Sequence, residues 1–77
     1  MLDKNHWTSL SKLAKTASFA ATDEGAQLAY MEAAECAARV AASTSSADEA
    51  KYAVAYADFI LAALGIAAVG WEKWPMR

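Results

Sequence analysis

The sequence predicts an all-α protein, either a small antiparallel three-helix bundle or a helical hairpin that oligomerises. Alanine, the best helix former, supplies 21 of the 77 residues. Three segments repeat apolar residues at helical spacing, and residues typical of helix caps separate them. Because both connections are short, consecutive helices are expected to pack antiparallel. The whole chain, residues 1–77, is therefore expected to form one helical domain.

The first helix is expected over residues 5–21. Its apolar residues recur at steps of three and four, so they share one face, while lysines and hydroxyl side chains occupy the other. Phe19 departs from this pattern and points toward the polar side, where it either folds back at the helix end or is exposed. The predicted core face consists of Trp7, Leu10, Leu13, Ala14, Ala17 and Ala21.

The second helix is expected over residues 23–42, with Thr22 or Asp23 as its N-cap. Glu32, Glu35 and Arg39 occupy one narrow stripe, and nearly all of the remaining circumference is apolar. A helix of this kind needs neighbours on more than one side, which predicts that it is the central helix. Glu35 and Arg39 are four residues apart in the favourable order and are expected to form an ion pair.

The third helix is expected over residues 47–69. Ser46 and Glu49 match a capping box, in which the two side chains satisfy each other's free backbone N–H groups. Gly65 either ends the helix or lies within it, and the helical pattern of residues 66–69 favours the longer helix, to Gly70. Tyr52, Tyr56 and Phe59 are expected to form a flanking aromatic face. The predicted core stripe consists of Ala53, Ala57, Ile60, Leu61 and Leu64.

The composition indicates a thin core that needs support from outside the protomer. Without alanine only 23 apolar residues remain, and one core in a chain of this size rarely supplies more than about 3–5 kcal/mol. A single cysteine excludes an internal disulfide, and a single histidine argues against a structural zinc site. Association is the remaining remedy, so a homodimer or higher oligomer, or a protein partner, is expected.

No catalytic, cofactor-binding or metal-binding residues are predicted, so the chain is not expected to be an enzyme. His6 lacks a nucleophile to activate, and Cys36 lies mid-helix among alanines as a buried small side chain. Three lysines in an acidic chain are a weak footprint for nucleic acid, so nucleic-acid binding is not expected. The polar N-terminus and the unpaired cysteine favour a cytoplasmic location.

The predicted function is a non-catalytic protein-binding module that acts by steric occupation of a partner surface. Residues 22–50 carry six acids against Arg39, a charge that would steer the chain toward a basic surface. Tyrosine and tryptophan are typical anchors at protein interfaces. The predicted partner-binding residues are Glu32, Glu35, Tyr52, Tyr56, Phe59, Trp71 and Trp74.

In its size, its alanine-rich helices and its lack of a catalytic motif, the chain resembles the small inhibitors that phages and mobile elements direct against host machinery, anti-CRISPR proteins among them. The resemblance implies an inhibitory function and assigns no residue a role. Two alternatives stay open. One is a structural or assembly subunit that acts through homo-oligomerisation. The other is a membrane-surface peptide anchored by its C-terminal tryptophans, although the uncharged run of residues 59–71 is shorter than the roughly 20 residues of a membrane span.

Overall fold

The computed structural model describes residues 3–69, and within that range it consists of three α-helices joined by short connections. They are α1 (Lys4–Ala20), α2 (Glu24–Ala42) and α3 (Ser46–Val69). The predicted all-α three-helix fold is confirmed, and each described helix boundary lies within one residue of the predicted one. α3 continues through Gly65, as the favoured interpretation required; Gly70 lies outside the described residues.

Aspartates cap the first two helices. The carboxylate of Asp3 accepts a hydrogen bond from the His6 backbone N–H at 2.8 Å. Asp23 accepts one from the Ala26 N–H at 3.1 Å, so Asp23 rather than Thr22 is the cap of α2. Each bond satisfies a backbone donor that the helix leaves unpaired, and each negative charge lies at the positive end of a helix dipole.

Ser45 caps α3, so the predicted capping box of Ser46 and Glu49 is wrong by one residue. The Ser45 hydroxyl accepts a hydrogen bond from the Asp48 N–H at 3.2 Å, and the Ser45 carbonyl accepts one from the Glu49 N–H at 3.0 Å. With Ser45 as the cap, Ser46 is the first residue of the helix. In a capping box the third helical residue reaches back to the cap, and that residue is Asp48, whereas Glu49 is the fourth.

α2 is the central helix, as predicted, and it packs against both α1 and α3, which touch each other at few positions. Ala26, early in α2, clusters with Ala63, late in α3. Ala21, just past the end of α1, packs beside Ala26, and Ala14, earlier in α1, clusters with Ala33, so neighbouring helices are antiparallel. The resulting layer measures 37 × 24 × 15 Å. A layer this thin leaves part of every helix uncovered.

The core consists mainly of alanine methyl groups, and it forms two small clusters along α2. Ile66 and Val40, 3% and 2% exposed, are the largest aliphatic side chains among the buried residues. The rings of Trp7 and Tyr56 meet edge to face, with their centroids 5.3 Å apart, and so link α1 to α3 beside the second cluster. The first cluster contains Ala26, Ala29, Ala62, Ala63 and Ile66, and the second contains Ala14, Ala33 and Ala34.

The predicted core faces of α1 and α3 are partly wrong. Leu13 is exposed, as are Ala57, Leu61 and Leu64, whereas α3 buries Ala62, Ala63 and Ile66. The physical reason lies in α2, whose inner faces are lined with alanine and so allow close approach. A close approach favours small residues of α3 at the contact and turns its leucines outward.

Candidate protein-binding surfaces

Three large apolar side chains lie exposed together in a shallow depression between α1 and α2. Phe19, at the end of α1, is 76% exposed, and Leu28 and Met31, one turn apart on α2, are 63% and 45% exposed. Glu24 and Gln27 line the same depression. Isolated apolar residues are common on protein surfaces, whereas a contiguous exposed group of this kind is a candidate interaction surface.

The depression continues along α1 and α2 as a second, more polar part. Met31 lines both parts, and the second adds Lys15, Glu32 and Glu35. The floor is held together by the hydrogen bond from the Ser11 hydroxyl to the Ala34 carbonyl, at 2.8 Å. We call Phe19, Leu28 and Met31, with their polar neighbours Lys15, Glu24, Gln27, Glu32 and Glu35, the α1–α2 surface.

The charge of the α1–α2 surface is mainly negative. Glu35 forms the predicted ion pair with Arg39, at 2.8 Å, and both side chains are exposed. The hydrogen bond from Arg39 to Glu35 raises the pKa of the arginine, although an exposed pair of this kind stabilises a helix little. It is the one ion pair among residues 3–69, so Glu24 and Glu32 present unneutralised carboxylates.

The predicted aromatic anchors of α3 are half-buried rather than freely exposed. Tyr56 and Phe59 pack against the second alanine cluster, and burial raises the pKa of Tyr56. The Arg39 guanidinium lies 5.5 Å from the centre of the Tyr52 ring. These side chains leave only part of their area to a partner. Whether they contact one stays a prediction, and the two predicted anchors Trp71 and Trp74 lie outside the described residues.

A second group of exposed apolar residues, which the sequence analysis missed, lies along α3. Val54, Leu61, Leu64 and Val69 are each 54–68% exposed there, and a methyl group added at Gly65 would meet nothing within 4 Å. We call these five residues the α3 surface. The sequence did contain a signal for exposed apolar residues, because α3 is apolar around nearly its whole circumference, as α2 is.

α3 is also long and apolar enough to cross a membrane, judged by length and composition alone. It has 24 residues, and 17% of its most apolar stretch is buried within the protein. A core helix of a soluble protein passes the same test when it is mostly buried, and α3 is not. Most of the apolar area of α3 is therefore exposed in the described residues.

The environment of Cys36 determines the chemistry of the one thiol of the chain. Cys36 is buried and unbonded, as predicted, and burial raises the pKa of its thiol, with smaller contributions from the carboxylates of Glu32 and Glu35. A thiol held protonated in this way is a poor nucleophile. Within residues 3–69, no three histidine, cysteine, aspartate or glutamate side chains come together to hold a metal ion.

Comparison with known proteins supplies no relative from which a role could be transferred. No protein-family model matches the chain, and no curated protein and no solved structure matches it. The expectations that the chain is not an enzyme and that it is cytoplasmic stay predictions. The functional proposal therefore rests on the α1–α2 surface described above.

Proposed function

We propose that the chain is a non-catalytic protein-binding module whose binding site is the α1–α2 surface. One observation carries the proposal: Phe19, Leu28 and Met31 lie exposed together in a depression that glutamates also line. Aromatic residues and methionine are enriched at the centres of protein interfaces, where they fill pockets of the partner. The module acts by occupying the partner's surface and excluding other ligands from it.

The chemistry of the α1–α2 surface favours a partner segment that is apolar on one side and basic beside it. An amphipathic helix laid between α1 and α2 would bury its apolar face on Phe19, Leu28 and Met31. Lysines or arginines at its margin would then approach Glu24 and Glu32, whose charges also speed diffusional encounter at low salt. The basic partner predicted from the sequence is thus kept as part of the proposal, and Glu24 joins the predicted acidic residues that would contact it.

The size of the surface sets the expected affinity. Complete burial of a phenylalanine, leucine or methionine contributes about 1.5–3 kcal/mol each. Loss of translational freedom and ordering of side chains remove a large part of that gain. We therefore expect the apolar residues to supply most of the binding free energy and the glutamates to supply a smaller part of it.

The test is affinity capture from a host lysate followed by titration of the captured protein. We expect Phe19→Ala combined with Leu28→Ala to abolish capture, and Glu24→Lys combined with Glu32→Lys to slow association at low salt. Leu13→Ala is the matched control. Leu13 lies on α1, as Phe19 does, and is an exposed leucine, as Leu28 is, but it does not line the depression. If the Leu13 control loses as much binding as the Phe19 and Leu28 pair, the α1–α2 surface is not the site.

The narrower hypothesis of an inhibitor used by phages or mobile elements belongs to the same proposal. Steric occupation predicts that the captured partner loses its activity when the module is bound. It also predicts that activity returns with the Phe19→Ala and Leu28→Ala pair. A partner that binds and keeps its full activity would contradict inhibition while leaving the binding surface itself intact.

A further inference from the structure

A second depression lies at the end of the bundle where α1 ends, α2 begins and α3 approaches its last described residue. We call it the α1–α3 groove. It shares no lining residue with the α1–α2 surface, so the two sites are separate. Its apolar lining consists of Ala17, Ala20 and Ala21 from the end of α1, Ala26 and Tyr30 from α2, and Ala67 from α3.

The two ends of the contact between α1 and α3 are filled differently. Near the start of α1, the rings of Trp7 and Tyr56 meet edge to face and close the space between the two helices. At the groove, the two helices contribute alanines alone, and Tyr30 of α2 is the one ring among the described residues that line it. A lining of methyl groups leaves room for one large apolar side chain and offers it many close contacts.

The chain carries such a side chain within reach of the groove. Trp71 follows Ala67 by four residues, which is about one turn of helix, so continued helical spacing would place both on the same side of α3. Helical side chains lean toward the start of their helix, so the indole would lean back over Ala67. A chain that left the helix after Val69 would travel at most about 7 Å in two residues, which keeps Trp71 close to the groove.

The charges at this end of the molecule favour the same occupant. Asp23 is the one charged residue among the described residues that line the groove. Residues 70–77 carry Lys73 and Arg77 against Glu72, which is a net charge of +1. A basic segment is attracted to an acidic margin, and this attraction fixes which segment docks more than it adds to affinity.

We infer that the C-terminal segment of the same chain, residues 70–77, occupies the α1–α3 groove, with the indole of Trp71 packed on its alanines. An aromatic side chain buries about 150–250 Å², so Trp71 supplies bulk that the alanine core lacks. Trp71 then belongs to the fold rather than to a partner interface, and Tyr30 lies beside it. Because the groove and the α1–α2 surface are separate, the inference does not depend on the proposed function.

The first test reads the environment of each indole in the full-length chain. Trp7→Phe with Trp74→Phe leaves Trp71 as the sole tryptophan, and Trp7→Phe with Trp71→Phe leaves Trp74 as the matched reporter. We expect the Trp71 reporter to emit at shorter wavelength in buffer than in urea, and to be quenched by acrylamide less than the Trp74 reporter. A Trp71 reporter quenched as strongly as the Trp74 reporter would overturn the inference.

A second test locates the indole in the groove. Ala67 and Ala68 are adjacent exposed residues of α3, and of the two Ala67 alone lines the groove. In the Trp71 reporter, Ala67→Glu should shift the emission to longer wavelength and increase quenching, because it places a carboxylate where the indole packs. Ala68→Glu is the matched control and should change neither. Equal effects of the two substitutions would place the indole somewhere other than the groove.

Nuclear Overhauser effects provide a third test that needs no substitution. We expect the indole protons of Trp71 to show such effects to the methyl groups of Ala20 and Ala67, and their absence would overturn the inference. The quenching of the Trp71 reporter should also be unchanged on dilution. An indole that becomes accessible on dilution would show that the groove receives the segment of a second copy. Phe19→Ala with Leu28→Ala should leave the reporter unchanged, so this outcome is distinguishable from failure of the proposed function.

Discussion

α2 and α3 have similar compositions and very different surroundings. Both are alanine-rich and apolar around most of their circumference, yet seven residues of α2 are buried and only three of α3. The difference follows from position in the layer, because α2 has a helix on each side, whereas α3 packs mainly against α2 and meets α1 at few positions such as the Trp7–Tyr56 ring contact. The same kind of helix therefore builds the core in the centre and leaves an exposed apolar surface at the edge.

The sharpest way to test this contrast is to enlarge one alanine in each helix. Ala33 of α2 is completely buried between neighbours, whereas Ala57 of α3 is exposed. We expect Ala33→Leu to lower the free energy of unfolding by about 3 kcal/mol, because a close-packed site has no room for the added carbons. Ala57→Leu should change it by less than about 0.5 kcal/mol.

Urea denaturation at a concentration where the protein is monomeric measures both values. Since a core of this size supplies about 3–5 kcal/mol, Ala33→Leu could be largely unfolded even in buffer. A circular dichroism spectrum in buffer detects that outcome, which would agree with the prediction. If the two variants were equally stable, the close packing of α2 would be contradicted.

The N-cap of α3 provides a smaller effect. Ser45→Ala should lower the free energy of unfolding by about 1 kcal/mol, because the Asp48 N–H loses its acceptor. Ser46→Ala is the matched control and should cost almost nothing, since Ser46 is already within the helix. Thermal unfolding of the two variants identifies the cap residue. A larger loss of stability in Ser46→Ala than in Ser45→Ala would support the capping box predicted from the sequence.

The smallest expected effect is a pH dependence that comes from the buried thiol of α2. Burial raises the pKa of Cys36 above its ordinary value of 9.0, so the folded protein holds this proton at a pH where the unfolded chain has lost it. The contribution of the thiol to stability is therefore complete below about pH 9 and falls as the pH rises through the folded pKa.

Urea denaturation between about pH 8 and pH 10 checks this sign, with Cys36→Ala as the comparison. We expect the wild type to lose more stability over that range than the variant. Burial also raises the pKa of Tyr56 above its ordinary value of 10.0. The resulting loss of stability begins near that pH and is the same in the wild type and in Cys36→Ala. An equal slope in the two proteins would show that Cys36 is not desolvated.

Capping and periodicity were enough to predict the three helices and their bounds, because both act over a few neighbouring residues. Asp23, one of the two caps predicted for α2, satisfies a donor three residues away, whereas Asp3, which caps α1, was not predicted. The ion pair of Glu35 and Arg39 spans one turn and was predicted for the same reason. Part of the candidate site was also accessible in this way, since Glu32 and Glu35 stand on a stripe that no helix covers.

The rotation of each outer helix about its own axis was decided by tertiary packing. In an apolar helix many faces satisfy a hydrophobic pattern equally well, so the pattern could not choose between Leu61 and Ala62 as the inner residue. The choice was made by the alanine faces of α2, which come close enough to admit small side chains and leave Leu13, Leu61 and Leu64 outside. Local interactions therefore specified which segments are helices, and contacts between distant residues specified which sides of them are free to bind.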